Sequence, residues 1–207
     1  MKNKDFKNKE KLIRAAIKEL GSNSYQEASL NRIIKEAGLS KGTFYFHFEN
    51  KKDLYLYIFK KVAERKEEFF AEKLSKKGEG FLEKDIFEIF KEYSKTGLEF
   101  ALEYPYYHKL GLKFYSEKGN KIYDEVKRTF SGKLEKSIAP VINRAIERGE
   151  LRKDFDRKFI TDLLSGLMNN FDAIFKFEER EIDLKKIVDT FDKFIDFIKF
   201  GLSGKRK

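Results

Sequence analysis

The segment Lys41-Gly42-Thr43-Phe44-Tyr45-Phe46-His47-Phe48 carries cationic, hydroxyl and aromatic side chains and no acid. Turned as a helix at about 100° per residue, it brings Phe48 to within about 40° of Phe44, so these two rings form the side to be buried. The opposite side centres on Gly42 and Phe46, flanked by Thr43 and Tyr45, with Lys41 and His47 nearer its edges. Such a face can offer hydroxyl contacts, ring contacts to thymine methyls and cationic contacts to phosphates, the chemistry of a helix lying in the major groove of a duplex. Gly42, which costs about 1 kcal/mol relative to alanine in a helix interior, fits a helix start where backbone must approach something closely. The rival reading packs Tyr45 and Phe46 on a neighbouring helix and gives His47 a capping or interdomain hydrogen bond.

Other chemistries find less support. The 207 residues include no cysteine and two histidines, His47 and His108, which excludes thiol chemistry and a zinc finger. Acid pairs such as Glu178-Glu179 lie beside Arg180 in what reads as a solvated connection, and no nucleophile, metal or phosphate-loop spacing is found. The expectation is therefore no enzyme, no cofactor and no metal. No apolar run reaches the length of a bilayer span, and the basic first residues lead into no signal-peptide core, so a cytoplasmic chain without a membrane partner is expected. The net charge is +10, and residues 1–52 hold twelve Lys/Arg against six Asp/Glu, leaving +4 for the rest. A polyanion is best sought in that first quarter.

The elements that must position the basic segment follow from apolar spacing, which is helical almost throughout and predicts an all-α fold. A first helix over about Lys7 to Leu20 ends at Gly21-Ser22-Asn23-Ser24. Ser29 caps a short helix, Leu30 to Ala37, which Gly38 breaks; Ser40 caps the next, Lys41 to about Phe48. Two helices three residues apart have helix-turn-helix punctuation. Asn50, with Asp53 three residues on, caps a fourth helix continuing toward Leu74, before a loop at residues 76–80. Further helices are expected near Phe81 to Glu103, Tyr106 to Ser116, and Asn120 to Glu147, the last kinked or split by Pro140. Asp156 to about Phe177 and Asp183 to about Leu202 complete the chain.

The run from Ser29 to Phe48, followed by Glu49-Asn50-Lys51-Lys52-Asp53-Leu54, resembles the DNA-binding domain of the tetracycline-repressor (TetR) family of bacterial one-component regulators. The likeness covers the first quarter of the chain; the remainder agrees in length, helicity and order of elements. It implies an N-terminal three-helix DNA-binding domain, residues 1–52 with its motif at about 29–48, and a larger helical effector-binding and dimerisation domain, 53–207. It further implies a homodimer that sets two recognition helices into successive major grooves of a near-palindromic double-stranded operator. Carried over by position, Ser29 meets a phosphate from the start of the second helix, Lys41, Gly42, Thr43, Tyr45 and His47 contact DNA from the recognition helix, and Lys51 meets a phosphate. Ser40 and Phe46, from the same cap and outer face, complete the expected set. Two positions depart from the family pattern: Ile34 and Ser24 stand where a small residue and a glycine are usual.

The second domain is dense in aromatics, most of which must be core. A pocket for a small apolar or aromatic effector, as the resemblance implies, would draw on Phe87, Phe90, Tyr93, Phe100, Tyr107, His108, Phe114, Tyr123 and Phe130. His108 reads equally as a polar handle in that pocket or a surface residue. The apolar stripes of the last two helices are broad enough to need two neighbours each, and Leu163, Gly166, Leu167, Phe171, Ile174, Phe191, Phe194, Ile195 and Ile198 are the expected dimer interface. A monomeric bundle burying both stripes is the alternative. The resulting expectation is a ligand-responsive transcriptional regulator, acting as a repressor released by its effector. The competing class is a helical carrier of apolar ligands, or a membrane-surface protein, without specific DNA recognition.

Overall fold

The apolar spacing folds as expected: in the computed structural model, which describes residues 7–130, 133–169 and 183–202, the regular elements are helices, with no β-strand among the described residues. They are α1 (Lys9–Ser22), α2 (Leu30–Glu36), α3 (Lys41–His47), α4 (Lys51–Ser75), a 3-10 turn (Glu79–Glu83), α5 (Ile86–Glu103), α6 (Pro105–Ser116), α7 (Lys121–Phe130), α8 (Lys133–Glu147), α9 (Arg157–Asn169) and α10 (Leu184–Leu202). Two compact units result, residues 1–69 with 100–129, and residues 70–99 with 130–207.

In the first unit, Leu12, Ala15, Ala16, Ile17 and Leu20 line the buried side of α1, and Ile33, Ile34, Ala37, Phe44, Phe48, Leu54 and Ile58 join the core. Ile34 is accommodated there without loss of either short helix. Helix α2 ends in a Schellman turn: Leu39 N–H donates to Ile34 O at 3.1 Å and Gly38 N–H to Lys35 O at 3.1 Å, with Gly38 at φ 63°, a conformation glycine adopts without strain. Helix α1 runs two residues past its expected end. Gly21 stays helical because it meets α6, where a Cβ would come within 3.2 Å of Leu110 N. The helix stops at Asn23, whose backbone N–H and side-chain Nδ2 both donate to Glu19 O.

In the second unit, Ile86, Phe87, Phe90, Ile142, Ala145, Leu151, Ile160, Leu164, Phe194, Ile195 and Ile198 form one core. Helix α5 starts later than apolar spacing alone predicts, because Asp85 takes the cap position and accepts from Glu88 N–H at 2.9 Å. The same carboxylate accepts from Lys199 at 2.9 Å, and Lys91 meets Asp196 at 2.7 Å, so two ion pairs join α5 to α10. Of the single helix expected from Asn120 to Glu147, the structure describes α7, which ends at Phe130, and α8, which begins at Lys133; residues 131–132 lie outside the described residues. Pro140 lies inside α8 and does not divide it.

Replacing Phe44, buried to 1%, with alanine should cost about 3–5 kcal/mol of unfolding free energy, whereas Phe46→Ala, at a site 71% exposed, should cost about 0.5 kcal/mol or less. Urea titrations of the two variants check this, and equal losses would contradict the orientation of α3.

Candidate nucleic-acid interface

Seven residues are too few to hold a helix on their own, so α3 depends on its cap and on what lies beneath it. Ser40 Oγ accepts from Thr43 N–H at 3.0 Å and lies 2.8 Å from Thr43 Oγ1. Beneath, Phe44 and Phe48 stack with ring centroids 5.3 Å apart and planes at 18°, and Phe48 meets the edge of Tyr57 on α4 at 5.2 Å. Turned away from this pair, Phe46 is 71% exposed, while Tyr45 is 50% exposed with its ring edge-on to Phe44 at 5.2 Å, beside exposed Lys41 and Gly42. A Cβ on Gly42 would meet only Ser40 Oγ, at 3.7 Å, so nothing within the protein demands glycine there. His47, set at the edge of this face by the helical wheel, is only 7% exposed and touches the Phe46 ring edge at 4.9 Å.

The helix before α3 is fixed by charge. Ser29 Oγ accepts from Arg32 N–H at 3.3 Å, while Ser29 N–H donates to Glu19 Oε1 at 2.8 Å and the Arg32 guanidinium reaches the same oxygen at 2.6 Å. Burial pushes the Glu19 carboxyl up, but the Ser29 amide, Arg32 and the charge of Lys51 together hold it below the usual carboxylate range. Lys51 does not simply project outward. Its ammonium donates to the carbonyls of Tyr25, Gln26 and Ala28 at 2.6, 3.2 and 3.1 Å and lies 4.7 Å from the Tyr25 ring centroid. Burial lowers its pKa, and Glu19 raises it in part. Asn50 Oδ1 accepts from Asp53 N–H at 2.9 Å and Asp53 accepts from Glu49 N–H at 3.2 Å, the box expected at the start of α4.

Two features escape sequence reading because their partners are remote in the chain. Glu117, buried at the end of α6, accepts from Tyr25 N–H and, at 2.6 Å, from Asn120 Nδ2. Lys52 meets Glu125 of α7 at 3.0 Å. Both tie the segment before α2 or the start of α4 to helices beyond residue 100, within the first unit.

The residues expected to line an effector pocket do not gather at one place. Phe87 and Phe90 belong to the packed core of the second unit. Phe114 stacks on Tyr123 at 4.7 Å and meets Phe59 at 4.9 Å. Phe100 and Tyr107 join Phe69 and Tyr104 in a separate ring cluster. Tyr93, in the second unit, meets Phe70 and Phe81, and Phe130 is half-buried. A cavity of about 210 Å³ lies over Ile86, Ile89 and Val141, and another of about 380 Å³ lies among Tyr25, Lys52, Lys121 and Glu125; none of the expected pocket residues lines either.

Of the expected dimer residues, Phe194, Ile195 and Ile198 face inward into their own core, and Leu163, Leu167 and Phe191 pack partly against it. Gly166 is exposed, while Phe171 and Ile174 lie outside the described residues. The outward side of α10 instead carries Phe197 and Phe200, 78% and 81% exposed and one turn apart.

Residues 12–58, which span α1, α2, α3 and the start of α4, match the model of the bacterial regulatory proteins of the tetR family. Over this domain the chain is similar to the tetR family. The chain is 24% identical over 177 residues to a fatty acid metabolism regulator protein of Bacillus subtilis, covering 84% of this chain and 86% of that one. Its fold is similar to that of the fatty acid degradation regulator FadR from Bacillus halodurans, with TM-score 0.67, 18% identity, and coverage of 93% of this chain and 96% of that one. It is also similar to FadR from Bacillus subtilis solved in complex with stearoyl-CoA, with TM-score 0.65, 16% identity, and coverage of 90% and 96%. In the family frame, α2 and α3 are the two arms of the DNA reader. No described helix is long and apolar enough to cross a membrane.

Because the folded pKa of Glu19 lies below its value of about 4.5 in the unfolded chain, its contribution to stability is complete above that value and is lost as pH falls through the folded pKa. The melting-temperature difference between the parent and Glu19→Gln should therefore be largest near neutrality and shrink steadily below about pH 4.5. A difference independent of pH would show that the Glu19 charge is not what secures α2.

Proposed function

We propose that the chain is a ligand-responsive repressor that binds a near-palindromic operator as a homodimer and is released by a small, largely apolar effector. The observation that carries this reading is the outer face of α3: exposed Lys41, Gly42, Tyr45 and Phe46 stand opposite a stacked, fully buried Phe44-Phe48 pair. Residues 1–52 would supply the DNA reader, and residues 53–207 the effector site and dimer contacts. Ser29, Ser40, Lys41, Gly42, Thr43, Tyr45 and Phe46 meet the operator. His47 and Lys51 act chiefly from behind, the first buried under the helix and the second holding the carbonyls of residues 25, 26 and 28. Two such faces in one dimer reach successive major grooves when they stand about 34–36 Å apart, and an effector that favours another spacing releases the DNA.

Phe197 and Phe200 extend the expected dimer surface along α10, since two aromatic side chains so exposed on one helix face are apolar area that a partner would cover. For the effector class, support comes from the fatty acid metabolism regulator of Bacillus subtilis and the stearoyl-CoA complex of its FadR. We therefore take the effector to be a long-chain acyl compound. In this role the chain needs no catalytic step, cofactor or metal, and works in the cytoplasm.

Selection from random duplexes should return a near-palindrome bound well above random DNA at moderate salt; failure to enrich any sequence would refute the reading. On the selected site, Thr43→Ala and Tyr45→Ala should each weaken specific binding by about 1–3 kcal/mol while leaving random-sequence binding nearly unchanged. Lys41→Ala should weaken both and reduce the slope of log affinity against log salt by about one. Mobility shifts over a salt series measure all three variants.

A further inference from the structure

Residues 24–28, between α1 and the cap of α2, form one turn, in which Ala28 N–H donates to Ser24 O at 2.9 Å. Like a short helix, the turn needs acceptors for the amides at its start and donors for the carbonyls at its end. Charged side chains supply both. Glu27 accepts from Ser24 N–H at 3.2 Å and Glu117 accepts from Tyr25 N–H, while the Lys51 ammonium gathers the carbonyls of Tyr25, Gln26 and Ala28. Glu27 belongs to the turn itself and Lys51 to the start of α4. Glu117 reaches the turn from the end of α6, 92 residues along the chain.

Packing between this turn and α7 is incomplete. A cavity of about 380 Å³ lies among Tyr25, Gln26, Gly119, Asn120 and Ile122, where close contact would otherwise hold the turn. The Lys52 to Glu125 pair lines the same cavity at 3.0 Å, but its lysine is half open to water, and such a pair contributes little. Glu117 is in a different position. It is 3% exposed and both its oxygens are committed, Oε1 to the Tyr25 amide and Oε2 to Asn120 Nδ2 at 2.6 Å. A carboxylate bonded to a backbone amide makes a strong, directional bond, and a buried one that loses its donor is costly. The turn therefore cannot drift from the end of α6 without a penalty that neither the cavity nor the exposed pair would impose.

Where the turn lies decides where α2 begins, because Ser29, the cap of α2, follows Ala28 directly, and α3 follows α2 after residues 37–40. We propose that Glu117 is a positioning residue for operator recognition: through the Tyr25 amide it holds the turn at residues 24–28 and so sets the seat of α2 and α3. This rests on the reading of α2 and α3 as the DNA reader and adds a determinant that is buried rather than presented to the duplex. Hydrogen bonds to base edges tolerate only a few tenths of an ångström, whereas attraction to phosphates falls off slowly with distance. Loss of Glu117 therefore lowers discrimination between operator and random DNA more than it lowers attachment to DNA.

Fluorescence anisotropy of the full-length protein, on the duplex selected for it and on a random duplex, tests this at a temperature where circular dichroism shows each variant fully folded. Glu117→Ala should weaken operator binding at least about tenfold and random-duplex binding less than about twofold. Glu117→Gln keeps an oxygen for the Tyr25 amide and should stay within about threefold of the parent on both duplexes. If Glu117→Ala does not fold, Asn120→Ala, at an exposed site, decides in its place. It removes one of the two partners of the carboxylate and should weaken operator binding by about threefold or more, with random-duplex binding unchanged. Parent-like operator affinity in the deciding variant, equal losses on both duplexes, or a Glu117→Gln variant as weak as the alanine would overturn the assignment and leave the DNA-binding reading standing. A parent that binds no duplex better than random DNA would overturn the DNA-binding reading itself, and the assignment with it.

Discussion

Everything that α3 presents depends on two phenylalanine rings pressed together beneath it. A helix of seven residues forms too few internal hydrogen bonds to persist in water, so its rotation about its own axis is set by whichever side chains can be buried. Phe44 and Phe48, one turn apart, settle that rotation, and Ser40 fixes where the helix begins. The outward direction of Tyr45 and Phe46 then follows from helix geometry alone. Exposing a phenylalanine to 71% is unfavourable for an isolated chain, and it persists because the fully buried pair more than offsets it.

Around this helix the fold is a set of braces that use charge where the core is thin. Glu19 gathers the Ser29 amide and the Arg32 guanidinium at one carboxylate oxygen, and Lys51 gathers three carbonyls of the preceding segment at one ammonium. Each satisfies backbone groups of a connection that has no ladder of its own. Glu117 extends the bracing to the far end of α6, so the path from α6 to the reader includes a buried carboxylate bonded directly to backbone.

Local signals made much of this legible. Ser29, Gly38, Ser40, and Asn50 with Asp53 are short-range devices whose effect lies within four residues, and the helices they delimit fall within a residue of expectation. The periodic apolar residues likewise separated Phe44 and Phe48 from the outer face. What sequence alone could not supply was anything decided by a distant partner. Gly21 reads as a helix stop until α6 is seen against it, and Pro140 reads as a break although α8 runs through it. Helix α10 is apolar on two sides, so periodicity could not tell that Phe194, Ile195 and Ile198 serve their own core while Phe197 and Phe200 face out.

The contact at Gly21 gives the first unit an unusual mechanical property. Where helices touch through long side chains, a small displacement of one is absorbed by torsional adjustment and fades within a turn. Between Gly21 and Leu110 there is no side chain to yield, and the two main chains bear on each other directly. That joint has almost no compliance: a shift of α6 by a few tenths of an ångström must be passed on to α1 whole or break the seat between them. A residue without a side chain thereby lets α1 and α6 meet main chain to main chain.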